Sequence, residues 1–86
     1  LMDGRMTKVR IDIIDEPGML ARISNLIARY GGNIIEIYHQ RMFNDVPVKN
    51  AKIDAIIEAL SVEHIASIIK ALREDGFQVS EIMERS

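Results

Sequence analysis

Hydrophobic and polar residues alternate along the first part of the chain, from Met6 to Ile14. The apolar side chains of Val9, Ile11 and Ile13 fall on one side. The charged side chains of Lys8, Arg10 and Asp12 fall on the other. A period of two predicts a half-buried β-strand. The alternation ends at Asp15-Glu16-Pro17-Gly18, where proline suits the first turn of a helix because its φ angle is already fixed. We therefore expect a strand that turns directly into a helix.

Two stretches have a helical period instead. Their apolar residues recur at spacings of three, four and three residues, which indicates amphipathic helices with one face on the core. The first helix would present Leu20, Ile23, Ile27 and Tyr30, and the second Val62, Ile65, Ile69 and Leu72. Gly31-Gly32 and Gly76 predict the helix ends, because glycine adopts the left-handed conformation without steric cost. Ser61 is a suitable N-cap for the second helix.

Three further strands are predicted, at 34–43, 51–60 and 77–83. The order β-α-β-β-α-β predicts an α+β sandwich of the ferredoxin-like type. In this arrangement two helices cover one face of a four-stranded antiparallel sheet whose strand order is 4-1-3-2. The second and fourth strands would then be the edges of the sheet, and each edge needs protection or a partner.

The second strand is the edge that we expect to pair with a second copy, from Ile34 to Phe43. Strict alternation places two sets of residues on opposite faces. The inner set is Asn33, Ile35, Ile37, His39 and Arg41, and the outer set is Ile34, Glu36, Tyr38, Gln40 and Met42. The apolar members of the outer set would support a homodimer through this strand.

The composition fits one compact domain. The chain has 86 residues, 48% of them hydrophobic, and no cysteine. The lack of cysteine excludes disulfides, thiolate metal sites and a cysteine nucleophile, and it suits a reducing compartment, so we expect the cytoplasm. A net charge of −2 gives no electrostatic reason to expect nucleic acid or an anionic membrane. No apolar run approaches the ~20 residues of a membrane-spanning helix.

Other functions of this fold lack the residues that they need. An RNA-binding domain would carry stacking aromatics on its first and third strands, which here have none and bear charges that can pair across the strands. A metal chaperone of this topology would carry two cysteines in its first loop, and this chain has none; the phosphate-binding glycine motifs are also missing. His39 is interpreted as a strand-end residue satisfied locally, for example by Asp45, with a catalytic role as the weaker alternative. His64 is expected to be solvated. We expect no catalytic residue, metal or cofactor in this chain.

The turn before the first helix is the better candidate for a binding site. The first N–H groups of a helix lack partners inside it, so Gly18, Met19 and Leu20 can bind a carboxylate there. Asp15 can hold an ammonium group, and Asn33 of a neighbouring copy can reach the same spot. Alternatively, Asp15 simply caps the helix and Asn33 completes a turn. The residues alone support both interpretations equally.

These turns resemble a known family. Asp15-Glu16-Pro17-Gly18-Met19-Leu20, followed by a helix and then Gly31-Gly32-Asn33-Ile34, is similar to the ACT domain, a small regulatory module that binds amino acids. The resemblance covers nearly the whole chain. It implies an effector site at Asp15, Pro17, Gly18, Met19, Leu20, Asn33 and Ile34.

A closer resemblance is to the C-terminal ACT domain of threonine ammonia-lyases. It is carried by Ile37-Tyr38-His39-Gln40-Arg41, Asp45-Val46-Pro47-Val48, Glu63-His64-Ile65 and the stretch from Leu72 to Val79. It implies a parent enzyme that deaminates threonine with pyridoxal phosphate held by an upstream catalytic domain. Residues 1–5 then resemble a linker, and residues 6–86 form the regulatory domain.

The resemblance also bears on the effector. A serine-binding ACT domain has histidine at the position of Ile13 and asparagine at that of Asp15, so we expect a branched-chain or related amino acid instead. The effector would sit at a dimer seam and favour one dimer geometry. The alternatives are a ligand-free dimerisation module and a separate small protein that acts on a different enzyme.

Overall fold

A computed structural model of the protein describes residues 5–14, 16–41 and 50–82, apart from the side chains of residues 40, 41 and 50. Its elements are β1 (Arg5–Ile14), α1 (Met19–Arg29), β2 (Asn33–Arg41), β3 (Asn50–Ala59), α2 (Val62–Glu74) and β4 (Gln78–Ile82). This order confirms the predicted β-α-β-β-α-β arrangement. The predicted strand ends at Phe43 and Met83 lie outside the described residues, as does the predicted loop at 44–50 except for Asn50, which begins β3.

The four strands form one antiparallel sheet in the order β2-β3-β1-β4. This is the predicted order 4-1-3-2 seen from the other edge, and it confirms the ferredoxin-like α+β fold. The first helix packs against β2 and α2, and the second packs against β1, β3 and β4. Each of β2 and β4 has one strand neighbour, so both are edges, as the sequence predicts.

The core lies between one face of the sheet and the two helices. The inward residues of β1 and β3 are buried as the alternation predicts, namely Val9, Ile11, Ile13, Ile53, Ala55, Ile57 and Ala59. In α1, Ile23 and Ile27 are buried and Leu26 packs beside them. Leu20 and Tyr30, which the helical spacing placed on the core, are 39% and 45% exposed. The buried stripe of α1 is therefore rotated toward Leu26, and Leu20 is left at the surface.

A β-bulge in β2 changes the faces that strict alternation predicts. Ile34 pairs with Ile57 and Glu36 pairs with Ile56, so Ile35 is the extra residue between them. Ile34 packs against the core, and Ile35 is 45% exposed. The prediction of Ile34 on the outer face and Ile35 on the inner face is wrong, because one extra residue reverses the sides of the residues before it.

The face of the sheet away from the helices carries paired charges. Asp54 accepts two hydrogen bonds from Arg10, of 2.8 and 2.9 Å, and is 4% exposed although it lies on this open face. The hydrogen bonds from Arg10 lower the pKa of Asp54, against the opposing effect of burial. Lys52 and Asp12 form a second cross-strand ion pair at 2.9 Å. These pairs neutralise the open face, as the alternation of charges suggests.

Candidate functional site

The turn between β1 and α1 is shaped by Gly18. Its φ angle is 87°, a conformation that residues with a side chain rarely adopt. A Cβ atom added here would meet no described atom within 4 Å. The backbone angle therefore requires the glycine, and the described residues leave the space beside it open. Pro17 is exposed in the same turn. Asp15, the predicted partner of an ammonium group, lies outside the described residues.

Two backbone donors at the start of α1 lack an acceptor in the part of the chain that the structure describes. The N–H group of Met19 bonds to the carbonyl oxygen of Glu16 at 3.3 Å. The next two N–H groups, of Leu20 and Ala21, have no acceptor among the described residues. Gly18 also has no side chain that could cap the helix. Of the three N–H groups that the sequence predicts for a carboxylate, that of Met19 is occupied, whereas those of Gly18 and Leu20, like that of Ala21, have no acceptor among the described residues.

The turn from α1 into β2 is tightly packed. Gly31 has a φ angle of 85°, and the N–H group of Gly32 bonds to the carbonyl oxygen of Ile27 at 2.9 Å. A Cβ atom on Gly32 would lie 2.8 Å from Cδ1 of Ile68 and 2.9 Å from Cγ2 of Ile27. The Gly-Gly pair thus ends α1 where the sequence predicts, and it fixes the position at which Asn33 begins the strand.

Asn33 lies on the open face of the sheet, not on the inner face that strict alternation gives it. Its Nδ2 atom donates a hydrogen bond of 3.3 Å to Oε1 of Glu58, its cross-strand neighbour. This bond is long and exposed, and it leaves the amide oxygen and one N–H group for another partner. Ile34 points the other way, into the core.

The two predicted halves of the site lie at opposite ends of the domain. The first helix has 11 residues and is therefore about 16 Å long. Across the sheet, Arg41, Ala51 and Ile13 form a row near the start of α1, whereas Asn33 lies in a row at the other end. One chain therefore does not bring Gly18 and Asn33 to the same small ligand.

One flank of α1 lies beside the free edge of β2. The opposite flank faces α2, because Arg22 donates a hydrogen bond of 2.8 Å to Asp75 at the end of that helix. Residues on the side away from Arg22 recur one turn apart and are small or apolar. These residues of α1, together with the exposed bulge residue of the edge strand β2, are named the seam surface: Leu20, Ser24, Ala28 and Ile35.

One histidine differs from its prediction. Nδ1 of His64 accepts a hydrogen bond of 3.0 Å from the N–H group of Leu60, and Nε2 lies 2.6 Å from the carbonyl oxygen of Tyr30. The ring is half-exposed, and its two backbone partners are contacts that the prediction of a solvated ring did not include. The sequence gives no local signal for the contact with Tyr30, which is 34 positions away. His39 pairs in register with Ile53, and its suggested partner at position 45 lies outside the described residues.

The described ranges hold neither a metal-ligand cluster nor a membrane span. No three histidine or acidic side chains among them are placed to hold a metal ion. No helix in this part of the chain is long and apolar enough to cross a membrane. The binding features that the structure does present, open N–H groups and the Asn33 amide, suit a small polar ligand.

Comparison with known proteins assigns the family. The model of the ACT domain matches residues 7–77. The L-threonine ammonia-lyases of Thermotoga maritima and Geobacter sulfurreducens are 29% and 33% identical over 76 residues. Each match covers 88% of this chain and 19% of the relative, so the chain spans about a fifth of the length of these relatives.

A solved structure gives independent support for the fold. The ACT domain from GTP pyrophosphokinase of Chlorobium tepidum superposes with a TM-score of 0.70 at 18% identity. The superposition covers 93% of this chain and 100% of that one, so the likeness of fold extends over the whole domain. With most of its residues matched by the family model, this chain belongs to the ACT domain family.

Proposed function

We propose that this ACT domain is a regulatory module that binds a free amino acid at a seam between two copies. The observation that carries the proposal is the pair of N–H groups at Leu20 and Ala21, for which the described residues supply no acceptor. Open donors at a helix N-terminus attract a carboxylate through hydrogen bonds and through the helix dipole. The proposed site combines two sets of residues, Asp15, Pro17, Gly18, Met19 and Leu20 of one copy with Asn33 and Ile34 of the other.

Pairing of two copies through β2 would complete this site. The middle residue of β2, which runs from Asn33 to Arg41, is Ile37. If two β2 strands pair antiparallel about Ile37, the partner's Asn33 stands opposite Arg41, at the end of the sheet where α1 begins. The seam surface would then meet its own copy, as a two-fold interface requires. A free edge strand favours such pairing because its backbone groups lack partners.

An amino acid carries a carboxylate and an ammonium group, and the proposed seam has partners for both. Its carboxylate would bind the N–H groups of Leu20 and Ala21, and its ammonium group would meet Asp15 and the amide oxygen of the partner's Asn33. Ile13 is buried and Ile34 packs against the core, so the proposed preference for a branched-chain or related side chain over that of serine rests on the resemblance to the ACT domain, not on these two side chains.

The lyase relatives support a place for this domain in a longer enzyme. We propose that it regulates a threonine ammonia-lyase whose catalytic domain lies elsewhere in the protein and works in the cytoplasm. Pyridoxal phosphate, which supplies the deamination chemistry there, would be held outside this chain. The effector would change the activity of the enzyme by binding one dimer geometry more tightly than another.

The test is thermal unfolding of the wild-type chain with isoleucine, valine or threonine. A ligand at about 100 times its Kd stabilises by roughly 2.7 kcal/mol, a shift of several degrees for a domain of this size. Gly18→Asp should abolish the shift, because the new carboxylate would occupy the N–H groups of Leu20 and Ala21 and would repel the carboxylate of the ligand. Gly76→Asp is the matched control, since Gly76 also has a positive φ angle, 98°, and no described atom within 4 Å of an added Cβ. No shift with any of the three amino acids would contradict the proposal.

The second candidate is a dimerisation module without a ligand. The free edge of β2 and the seam surface favour it, because both explain pairing without any effector. Analytical ultracentrifugation beside the thermal measurement separates the two functions. A dimer that no amino acid stabilises would establish the second function, whereas an amino-acid shift that Gly18→Asp abolishes would establish the first.

A further inference from the structure

The ring of His64 joins two parts of the domain that are distant in sequence. Nδ1 accepts a hydrogen bond of 3.0 Å from the N–H group of Leu60, and Nε2 lies 2.6 Å from the carbonyl oxygen of Tyr30. Tyr30 is the C-cap of α1, whereas His64 lies in the first turn of α2. The ring therefore connects the end of one helix to the start of the other.

The two partners of the ring assign its tautomer. A backbone N–H group can only donate a hydrogen bond, and a backbone carbonyl oxygen can only accept one. Nδ1 must therefore present its lone pair to Leu60, and Nε2 must carry the proton that is donated to Tyr30. A neutral ring with the proton on Nε2 satisfies both partners at once.

The same ring braces the turn that leads to Asn33. A Cβ atom on Gly31 would lie 3.2 Å from Nε2 and 3.3 Å from Cε1 of the His64 ring, so the ring lies directly against the glycine backbone. Separately from the ring, the backbone N–H group of His64 donates to Oγ of Ser61 at 3.0 Å and so caps α2. Asn33 follows this braced turn by two residues.

We propose that His64 is a positioning residue for the effector site, which holds the α1–β2 turn so that Asn33 is presented to the ligand of the neighbouring copy. This inference rests on the proposed function, since its consequence is read out as effector affinity. A turn that samples other conformations lowers the apparent affinity in proportion to the time that it spends out of place. The hydrogen bond from His64 to Tyr30 anchors the turn to α2 and so limits the other conformations that the turn can adopt.

Two substitutions separate the bonds of the ring. His64→Asn places an amide oxygen near the position of Nδ1, so it keeps the acceptor for Leu60 and loses the bond to Tyr30. His64→Gln is longer and places an amide nitrogen near Nε2, so it keeps the donor to Tyr30 and loses the acceptor. Ser61→Ala is the control for stability, because it removes the helix cap and leaves the ring unchanged.

Two readouts on the wild type and these variants test the proposal. The first is calorimetric titration with isoleucine, valine and threonine, and the second is hydrogen exchange of the Gly31 and Gly32 amides, whose bonds to the last turn of α1 define the turn. We expect His64→Asn to weaken binding by roughly threefold to tenfold, the effect of one lost hydrogen bond, and to speed exchange of both amides. His64→Gln should stay within about twofold of wild type in affinity.

The control decides between positioning and general stability. Ser61→Ala should lower the unfolding temperature without changing affinity or the exchange of the two glycines. The proposal is overturned if His64→Asn binds and exchanges as wild type does, or if Ser61→Ala has the same effects as His64→Asn. Wild-type protein that binds none of the three amino acids refutes the proposed function and the link to affinity. In that case the exchange data still decide whether His64 orders the turn.

Discussion

Replacing Gly32 by alanine measures how tightly the α1–β2 turn is packed. The added Cβ atom would lie 2.8 Å from Cδ1 of Ile68 and 2.9 Å from Cγ2 of Ile27, whereas ordinary contacts are 3.4–4 Å. Both isoleucines are fully enclosed, at 1% and 0% exposure. Cγ2 is attached next to the helix backbone, so Ile27 cannot move it away without shifting α1. The extra methyl group must therefore displace the core.

The magnitude follows from two opposing effects. Gly32 is not among the glycines with a positive φ angle, so alanine adds no backbone strain. Overpacking a core by one methyl group costs about 1–3 kcal/mol. Restriction of the unfolded chain offsets about 0.4–1 kcal/mol of that cost. We expect a net loss of roughly 1–2 kcal/mol in the free energy of unfolding, which lowers Tm by roughly 5–15 °C in a domain of this size.

Urea unfolding of a double-mutant cycle with Ile68→Val is the assay. Alone, Ile68→Val removes Cδ1 from a packed core and should cost about 0.5–1.5 kcal/mol. Combined with Gly32→Ala it should cost almost nothing, because the missing atom is the one that the new methyl group meets at 2.8 Å. Gly76→Ala, which meets no described atom within 4 Å, is the control and should be additive with Ile68→Val. Additivity of Gly32→Ala with Ile68→Val would refute the packing argument.

The remaining predictions concern the open face and the free edge. Asp54→Asn should lower stability at pH 7 by about 1–3 kcal/mol, because it removes the charge and replaces one of the two oxygens that accept from Arg10 by an NH2 group that cannot accept. Arg10 lowers the pKa of Asp54, so this stabilisation is complete above the ordinary carboxyl pKa and is lost as the pH falls through the folded value. The difference between variant and wild type in urea unfolding should therefore shrink in acid, and a constant difference would contradict this account. Ile35→Lys should weaken self-association in sedimentation, whereas Met6→Lys, which is also exposed but lies outside β2, should not; equal effects would count against pairing through β2.

The fold was predictable because its signals are local. The alternation in β1 and β3 and the helical spacing in α2 each reflect one dominant buried face, and the glycine stops agree with them. The order of elements then allows few topologies. The stripe of α1 was less certain, because Met19 and Leu26 compete with Leu20 and Tyr30 for the core and tertiary packing decides between them.

The errors at the candidate site have non-local causes. The bulge at Ile35 depends on how β2 meets β3, and no glycine or proline marks it in the sequence. It moves Asn33 to the open face and Ile34 to the core. The role of His64 depends on the distance between its ring and the carbonyl oxygen of Tyr30, which only the packing of α1 against α2 sets. A histidine three residues after an N-cap serine carries no such signal by itself.

Complementation between two defective variants tests the shared site most directly. Gly18→Asp damages the half of the site that supplies the N–H donors, and Asn33→Ala damages the half that supplies the amide. Each variant alone should therefore fail to bind the amino acid, among isoleucine, valine and threonine, that the wild type binds. In a re-equilibrated equal mixture, each heterodimer has one site with both halves intact, and titration should recover about a quarter of the wild-type sites. This recovery is the result that a site built from two copies predicts. A mixture as inactive as its components would contradict it, and so would full binding by either variant alone.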